Sequence, residues 1–407
     1  MTSPDTRLGL RPAPTHWCCR QCDAIEAGPA VPHRCARCGA TQWVEVRQAV
    51  EELIAGAGAW IMGMAVPGRP FGRFRYSARC RFPWLLSASA AAWRLLHWLD
   101  IWNQQLSERQ RDEWVVYWLS LWDPSLGMFV DPIRVADDPQ RGLADSRWWS
   151  NTTLIPELRA LGHAELRLPP ERVEDPVPTV AALERHLESL DWERDPYSAG
   201  SQARAIVQHQ RARQAAGLDP DDEVVEFGHR WLDDHQRADT GMWYRGEGYS
   251  SAATAGAYKT IRWVYAPNDW PVHHPEAILR YAVAVQGEDG CFQVDDPCHN
   301  FDALYLIREM LPRVAVPPAE AYAAAARALA ELRRHRKEDG GFSWFRHAAI
   351  GALPERGLLP AGTDESEMTG TQYWLEHASY ILDILEGRSE TAGFRVPADK
   401  TGSAGGS

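Results

Sequence analysis

Three short phrases recur at a fixed interval along the chain, and they constrain its fold more than any other feature. They are Asp239-Thr240-Gly241-Met242-Trp243, Asp289-Gly290-Cys291-Phe292 and Asp339-Gly340-Gly341-Phe342, so the leading aspartate returns every 50 residues. Asp123-Pro124-Ser125-Leu126-Gly127-Met128-Phe129 is an earlier copy, and Asp191-Trp192 reads as a degenerate one. A period of this length marks stacked supersecondary units, none of which can bury its apolar face alone. The surroundings of each phrase repeat as well. An amphipathic stretch precedes it, as in Pro275 to Gln286 with Ile278, Leu279, Ala282 and Val283 on one face, or Pro317 to Arg336 with Tyr322, Ala325, Leu329 and Leu332. A loop follows, and then a helix that is apolar nearly all round, as in Phe301 to Leu311 and Tyr373 to Leu385. A helix with one apolar face is an outer helix, and one apolar on most faces is buried between neighbours. Within the phrase, glycine permits the chain to reverse and the aromatic ring anchors the turn.

Six stretches qualify as buried helices: about 83–100, 147–161, 201–216, 252–265, 298–311 and 366–385. Six alternating outer–inner helix pairs close naturally into a ring. The expected fold class is therefore all-α, an (α/α)6 toroid over residues 49–388, preceded by a small metal-binding module. In such a ring the loops and helix N-termini converge where the inner helices begin, and a functional cleft is expected there.

The phrases resemble the repeats of the terpene cyclase and protein prenyltransferase superfamily, over roughly residues 50 to 388. Gln286-Gly287-Glu288-Asp289-Gly290-Cys291-Phe292 resembles the glutamine–tryptophan repeat of squalene–hopene cyclases, with Phe in place of Trp. Glu338-Asp339-Gly340-Gly341-Phe342 is a partial second copy. Other (α/α)6 enzymes, among them unsaturated glucuronyl hydrolases and sugar epimerases, use phrases similar to Asp239-Thr240-Gly241-Met242-Trp243-Tyr244. The family's active-site motifs carry over poorly. Asp219-Pro220-Asp221-Asp222 matches the Asp-x-Asp-Asp string of protonating cyclases, yet it opens an outer helix, where acids favour the N-terminal dipole. No Asp-Asp-x-x-Asp run is present. Asp289 and Cys291 resemble two zinc ligands of protein prenyltransferases, but Met368, Thr369 and Gly370 stand where the family's histidine would open a later helix.

The second strong signal is at the front of the chain. Cys19 and Cys22 form one Cys-x-x-Cys pair and Cys35 and Cys38 another, with Gly39 directly after. Two such pairs offer four thiolates to one ion, the closed tetrahedral form of structural zinc. The segment 16–47 resembles a zinc ribbon. So small a module has almost no apolar core, so the metal would supply most of its folding free energy. Cys18 is a spare thiol that could replace Cys19. A structural role, or docking to a protein partner, is expected for the module.

Composition narrows the rest. A net charge of −12 leaves no basic footprint for nucleic acid. The longest low-polarity run, about Phe82 to Trp93, lies between Arg81 and Arg94 and is too short for a membrane span. The first residues show no apolar signal segment, and a reducing cytoplasm favours metal ligation over disulfides. A flexible N-terminus is expected at 1–15 and a flexible tail at 389–407, the latter ending in Thr401-Gly402-Ser403-Ala404-Gly405-Gly406-Ser407.

The densest polar constellation is Asp295-Asp296-Pro297-Cys298-His299-Asn300-Phe301-Asp302. Asp302 falls one turn into an apolar helix, where a carboxylate is costly unless it is paired or does chemistry. His299 is three residues away and shares its helix face, so the two can form an acid–base pair. Equally, Asp302 can cap or meet an arginine, with His299 a neutral core residue. Glu365 and Glu367, before the last inner helix, form a second candidate group, and ring closure could bring Glu367 opposite Asp302. Capping by Ser366 and the acids is the alternative. Trp148, Trp149, Tyr197, Tyr249 and Tyr258 gather at the same helix starts as candidate substrate-binding residues. Aromatic faces can stabilise a carbocation or stack on a sugar. The expectation is a cyclase- or prenyltransferase-like enzyme using acid–base chemistry on an isoprenoid-like or other small molecule, in a central aromatic-lined cavity. A carbohydrate-active (α/α)6 hydrolase, lyase or epimerase and a non-catalytic binding scaffold are the alternatives.

Overall fold

The computed structural model describes residues 15–387, apart from 23, 69, 100, 167–174, 221, 294, 316–317 and 354–355. The expected flexible segments, 1–15 except Thr15 and 389–407, lie outside the described residues. The chain is predominantly helical. It divides into two compact units, one of residues 15–52, 175–334 and 374–387, the other of 53–166 and 335–373.

The first unit begins with a three-stranded antiparallel sheet. Strand β1 (His16–Cys19) lies between β2 (Ile25–Ala27) and β3 (Trp43–Glu45). Cys18 pairs with Ile25 and Val44, and Cys19 with Trp43. The long helix α1 (Val46–Gly63) follows without a break. The helical body then runs α2 (Leu86–Trp98), a short α3 (Ile101–Gln104), α4 (Glu108–Leu119), and a hairpin of β4 (Trp122–Asp123) and β5 (Met128–Phe129). Helices α5 (Pro132–Asp137), α6 (Pro139–Trp149) and α7 (Ile155–Ala160) come next, the last two joined through a π-helical turn at Ser150–Leu154. Then come α8 (Val180–Ser189), α9 (Pro196–Gln202), α10 (Ala205–Ala215) and α11 (Glu223–His235). Helix α12 (Ser251–Thr260) continues into a π-helical turn at Ile261–Tyr265. The series ends with α13 (Pro275–Ala284), α14 (Pro297–Met310), α15 (Ala319–His335) and α16 (Met368–Glu386).

Burial follows the expected alternation in most places. Helix α11 buries one stripe, Val224, Val225, Gly228, Trp231 and Leu232, at helical spacing. Helices α12 and α14 are buried on nearly every face. Two stretches expected to be apolar all round are not. The stretch 147–161 buries Ser150, Thr153, Leu154, Ile155 and Leu158 but exposes Arg147, Trp148, Asn151 and Thr152, and α10 exposes Gln208 and Arg211. Their arginines and glutamines need water, so these helices bury a single face.

The recurring phrase is a repeated mechanical joint. In three copies its aspartate folds an Asx turn: Asp123 Oδ1 accepts from Ser125 N, Asp289 Oδ1 from Cys291 N, and Asp339 Oδ1 from Gly341 N, whereas in the Asp239 copy Thr240 Oγ1 accepts from Met242 N. Gly290 and Gly340 have positive φ, 89° and 97°, which a side chain resists. The aromatic residue is sealed from solvent, and its N–H donates to a polar side chain of the following buried helix. Phe129 donates to Ser150, Phe292 to Asn300 and Phe342 to Thr371. A long side chain just before each phrase ties the joint to the next one-faced helix. Gln236 donates to the carbonyls of Gly241 and of His273, next to α13. Gln286 donates to those of Gly290 and of Ala324 in α15. In the other unit Arg336 donates to Leu53 O of α1. Asp131 adds a different joint: Oδ2 accepts from Leu86 N at the start of α2, and Oδ1 from Ile133 N and Arg134 N at the start of α5.

Candidate functional site

The thiols of Cys19, Cys22, Cys35 and Cys38 converge, with all four sulfurs within 4.8 Å of one another. Cys19 Sγ lies 3.6 Å from Cys38 Sγ, and Cys22 Sγ 3.5 Å from Cys35 Sγ. Zinc–sulfur bonds of about 2.3 Å in a tetrahedron set sulfurs a little under 4 Å apart, so the donor set suits such an ion. Period-two geometry decides between the adjacent cysteines. Neighbouring residues of β1 point to opposite faces; Cys19 turns to the cluster, whereas Cys18 Sγ receives Arg333 Nη1 at 3.1 Å.

The Asp302 region is built by α9, α12, α14 and the C-terminal part of α16, all in the first unit. Asp296 caps α14, its Oδ1 accepting from Cys298 N at 2.7 Å, and Pro297 opens the helix. This fixes the register that sends Asp302 inward, where it is 2% exposed. Its partner is Lys259 of α12, with Nζ 3.4 Å from Oδ2 and also buried. Burial pushes the Asp302 carboxyl up to about 6, while the Lys259 and His299 charges pull it back. Tyr197 lies over the ammonium, its ring centroid 3.3 Å from Nζ. His299 packs beside Tyr197 at 5.3 Å between rings, and its Nδ1 is 3.6 Å from Asp296 Oδ1.

Deeper along the same helices, charge and aromatic rings alternate. The Arg262 guanidinium lies 5.4 to 5.8 Å from the ring centroids of Tyr305, Tyr258 and Phe301, and Nη1 donates to Tyr380 Oη at 2.8 Å. Arg308 sits 4.5 Å from the Tyr380 ring and 5.1 Å from that of Tyr305, and contacts Asp383 and Glu309. Burial raises the phenols of Tyr258 and Tyr380. Two guanidinium groups thus lie against the buried aromatic rings of this cluster.

Glu367 belongs to the second unit and is fully buried. Its carboxylate accepts from the backbone N–H groups of Trp344, Ile350 and Gly351, and from the Tyr76 hydroxyl. Burial nevertheless raises it to about 7. Glu365 pairs with Arg79 at 3.0 Å. Asp302 and Glu367 thus each find partners within their own unit.

The other candidates are dispersed. Asp295 is half-buried, with a carboxylate oxygen within 4.8 Å of one on Glu331, which in turn pairs with Arg334. Tyr258 joins the Asp302 region, 5.3 Å from Phe301 between rings. Tyr249 is 55% exposed and meets Tyr281 edge-on. Trp148 and Trp149 lie in the other unit at the end of α6, Trp148 exposed. Asp222 caps α11 and also meets His209 and Arg213, so the Asp219–Asp222 string ends in a structural cap.

Sequence reasoning passed over Lys259, Arg262, Arg308, Tyr305 and Tyr380. The signal was present: Lys259 and Arg262 are cations inside a stretch, Ser251 to Tyr265, that is otherwise small or apolar. Among the described residues no helix is long and apolar enough to cross a membrane. Set against known proteins, the chain matches no family model and no curated sequence.

Proposed function

We propose that the chain is an (α/α)6-toroid enzyme that transforms a small molecule by acid–base chemistry at Asp302, with a zinc ribbon at its front. The observation that carries the reading is a buried carboxyl, raised towards neutral pH, at the start of an inner helix and held by one lysine. A group with such a pKa can both give and take a proton near pH 7. His299, beside Asp296 and Tyr197, is the group through which that proton reaches solvent.

Ring closure is supported by the repeated joint. The contact that ties α11 to α13 and α13 to α15 recurs a third time at Arg336, where it reaches α1. A closed ring would need such a contact between its last repeat and its first, and the Arg336 bond to Leu53 O supports that reading. Zinc in the Cys19–Cys22–Cys35–Cys38 cluster is structural in this reading, since four thiolates leave no open position for chemistry.

The resemblance to terpene cyclases and prenyltransferases points to an isoprenoid-like substrate. A polar, carbohydrate-like substrate is favoured by one observation, the occupation of aromatic faces by Arg262 and Arg308. A carbocation gains nothing from rings already facing guanidinium groups, whereas hydroxyls can hydrogen-bond among them. The test incubates the protein with farnesyl diphosphate, squalene, an unsaturated uronic-acid disaccharide and N-acetylhexosamines, and assays products by mass spectrometry. Turnover of one of them should fall on the order of 100-fold or more in Asp302→Asn. Turnover unaffected by that change removes Asp302 from the chemistry. Tight binding without turnover in either protein indicates a scaffold.

A further inference from the structure

The acid–base reading above uses Asp302 but leaves its partner as a bystander, and the partner is an unusual choice. The chain has three lysines, Lys259, Lys337 and Lys400, among 43 basic residues. The other buried cations among the described residues, Arg134 and Arg308, are arginines. A structural ion pair with Asp302 would be better made by arginine, whose planar fork binds a carboxylate through two parallel bonds. What arginine cannot do is give up its proton and become a nucleophile.

The local geometry is also poor for a structural ammonium. Nζ carries three donors. Among the described residues it has one acceptor, Asp302 Oδ2, at 3.4 Å, longer than the 2.7–2.9 Å usual for charged pairs. Its other close neighbour is the face of Tyr197. Tyr197 is itself half-buried, and His299 beside it is 20% exposed, so this side of the amine lies one ring away from solvent.

We infer that Lys259 is a Schiff-base nucleophile, and that the substrate of this site is an aldehyde or ketone. The inference rests on the acid–base reading of Asp302 and adds the bond-forming atom and the substrate class. The Asp302 carboxylate takes a proton from the ammonium, and the amine lone pair attacks the carbonyl carbon as the C=O π pair moves to oxygen. Asp302 returns the proton to that oxygen. It then takes a second proton from nitrogen and delivers it to the hydroxyl, which leaves as water while the nitrogen lone pair closes the C=N bond. The net change is one carbonyl compound plus the lysine ammonium giving one protonated imine plus water, with Asp302 again a carboxylate. No electrons are lost or gained and no co-reactant is needed. Tyr197 must swing aside to admit the carbonyl compound, and its face then covers the cationic imine.

The experiment uses the full chain with glycolaldehyde and sodium cyanoborohydride, which reduces an imine to a stable secondary amine. Peptide mass spectrometry then reads the modification rate at Lys259, Lys337 and Lys400 in the same sample. Lys259 should be modified at least tenfold faster than the other two, although it is the buried one. Asp302→Asn should abolish that advantage while leaving Lys337 and Lys400 unchanged, and Tyr197→Phe, which keeps the ring, should preserve it. Modification of Lys259 no faster than of Lys337 and Lys400 in the wild-type protein overturns the inference, whatever the variants do. The two readings fail separately. Loss of turnover of a non-carbonyl substrate in Asp302→Asn, with Lys259 inert to trapping, sinks the imine and keeps the acid–base site. Rapid trapping at Lys259 that persists in Asp302→Asn sinks the role given to Asp302 in both.

Discussion

Glu367 is surrounded by donors and still sits near 7, because dipoles at its two oxygens do not fully replace the water that burial removes. Its effect on stability has a definite sign. The folded value lies above the ordinary 4.5, so the folded protein binds the proton more tightly than the unfolded chain. Stability from this group is complete below about pH 4.5 and is lost as pH rises towards 7. The rise in pKa corresponds to roughly 3 kcal/mol at about 1.4 kcal/mol per pH unit. Glu367→Gln cannot titrate, and its amide turns one N–H group towards a backbone donor, costing about 1–3 kcal/mol. Urea unfolding should therefore show a wild-type advantage over Glu367→Gln that is larger at pH 5 than at pH 8. An advantage that grows with pH would mean the carboxylate is stabilised by its donors after all. Glu367 and Asp302 were both visible in the sequence as acids at the starts of apolar helices. Their partners were not, because a backbone N–H has no sequence signature and Lys259 is 43 positions from the acid it meets.

At the scale of elements, the proposed zinc would hold the front module together, since its strands are three or four residues long and have little core of their own. The strand geometry assigns unequal roles to two adjacent thiols. Cys19→Ser should abolish binding of one zinc per chain and unfold residues 16–45, seen as loss of hydrogen-exchange protection there. Cys18→Ser should keep the zinc and disturb only the contact with Arg333. Equal metal loss in both variants would place Cys18 among the ligands. The paired Cys-x-x-Cys spacing gave the cluster away but could not choose between neighbours, because that choice depends on which face of β1 each occupies. The helices show the same division. The stripe in α11 was legible because its periodicity is local. The exposure of one face in 147–161 and in α10 was not, because whether a helix is covered on its second face depends on residues far away in sequence.

At the largest scale the proposed ring makes one contact in the second unit worth testing, that of the Gly340 turn with α1. In the second unit Gly340, with φ of 97°, lies so close to α1 that a Cβ there would stand 2.7 Å from the carbonyl oxygen of Gly56. Gly248 has a similar positive φ, 75°, and nothing within 4 Å of its would-be Cβ. Both glycines have a φ that side chains resist, and they differ sharply in what they touch. Gly248→Ala should cost about 1–2 kcal/mol, the price of a left-handed alanine. Gly340→Ala is strained as well and must also push the turn off α1, a further cost of about 1–3 kcal/mol. Urea unfolding midpoints of the two variants, compared at equal slope, read the difference directly. A clear excess for Gly340→Ala means that this seam is closed in solution and contributes to stability. Equal losses would mean that the turn and α1 are apart for much of the time and that their contact adds nothing to the stability of this unit.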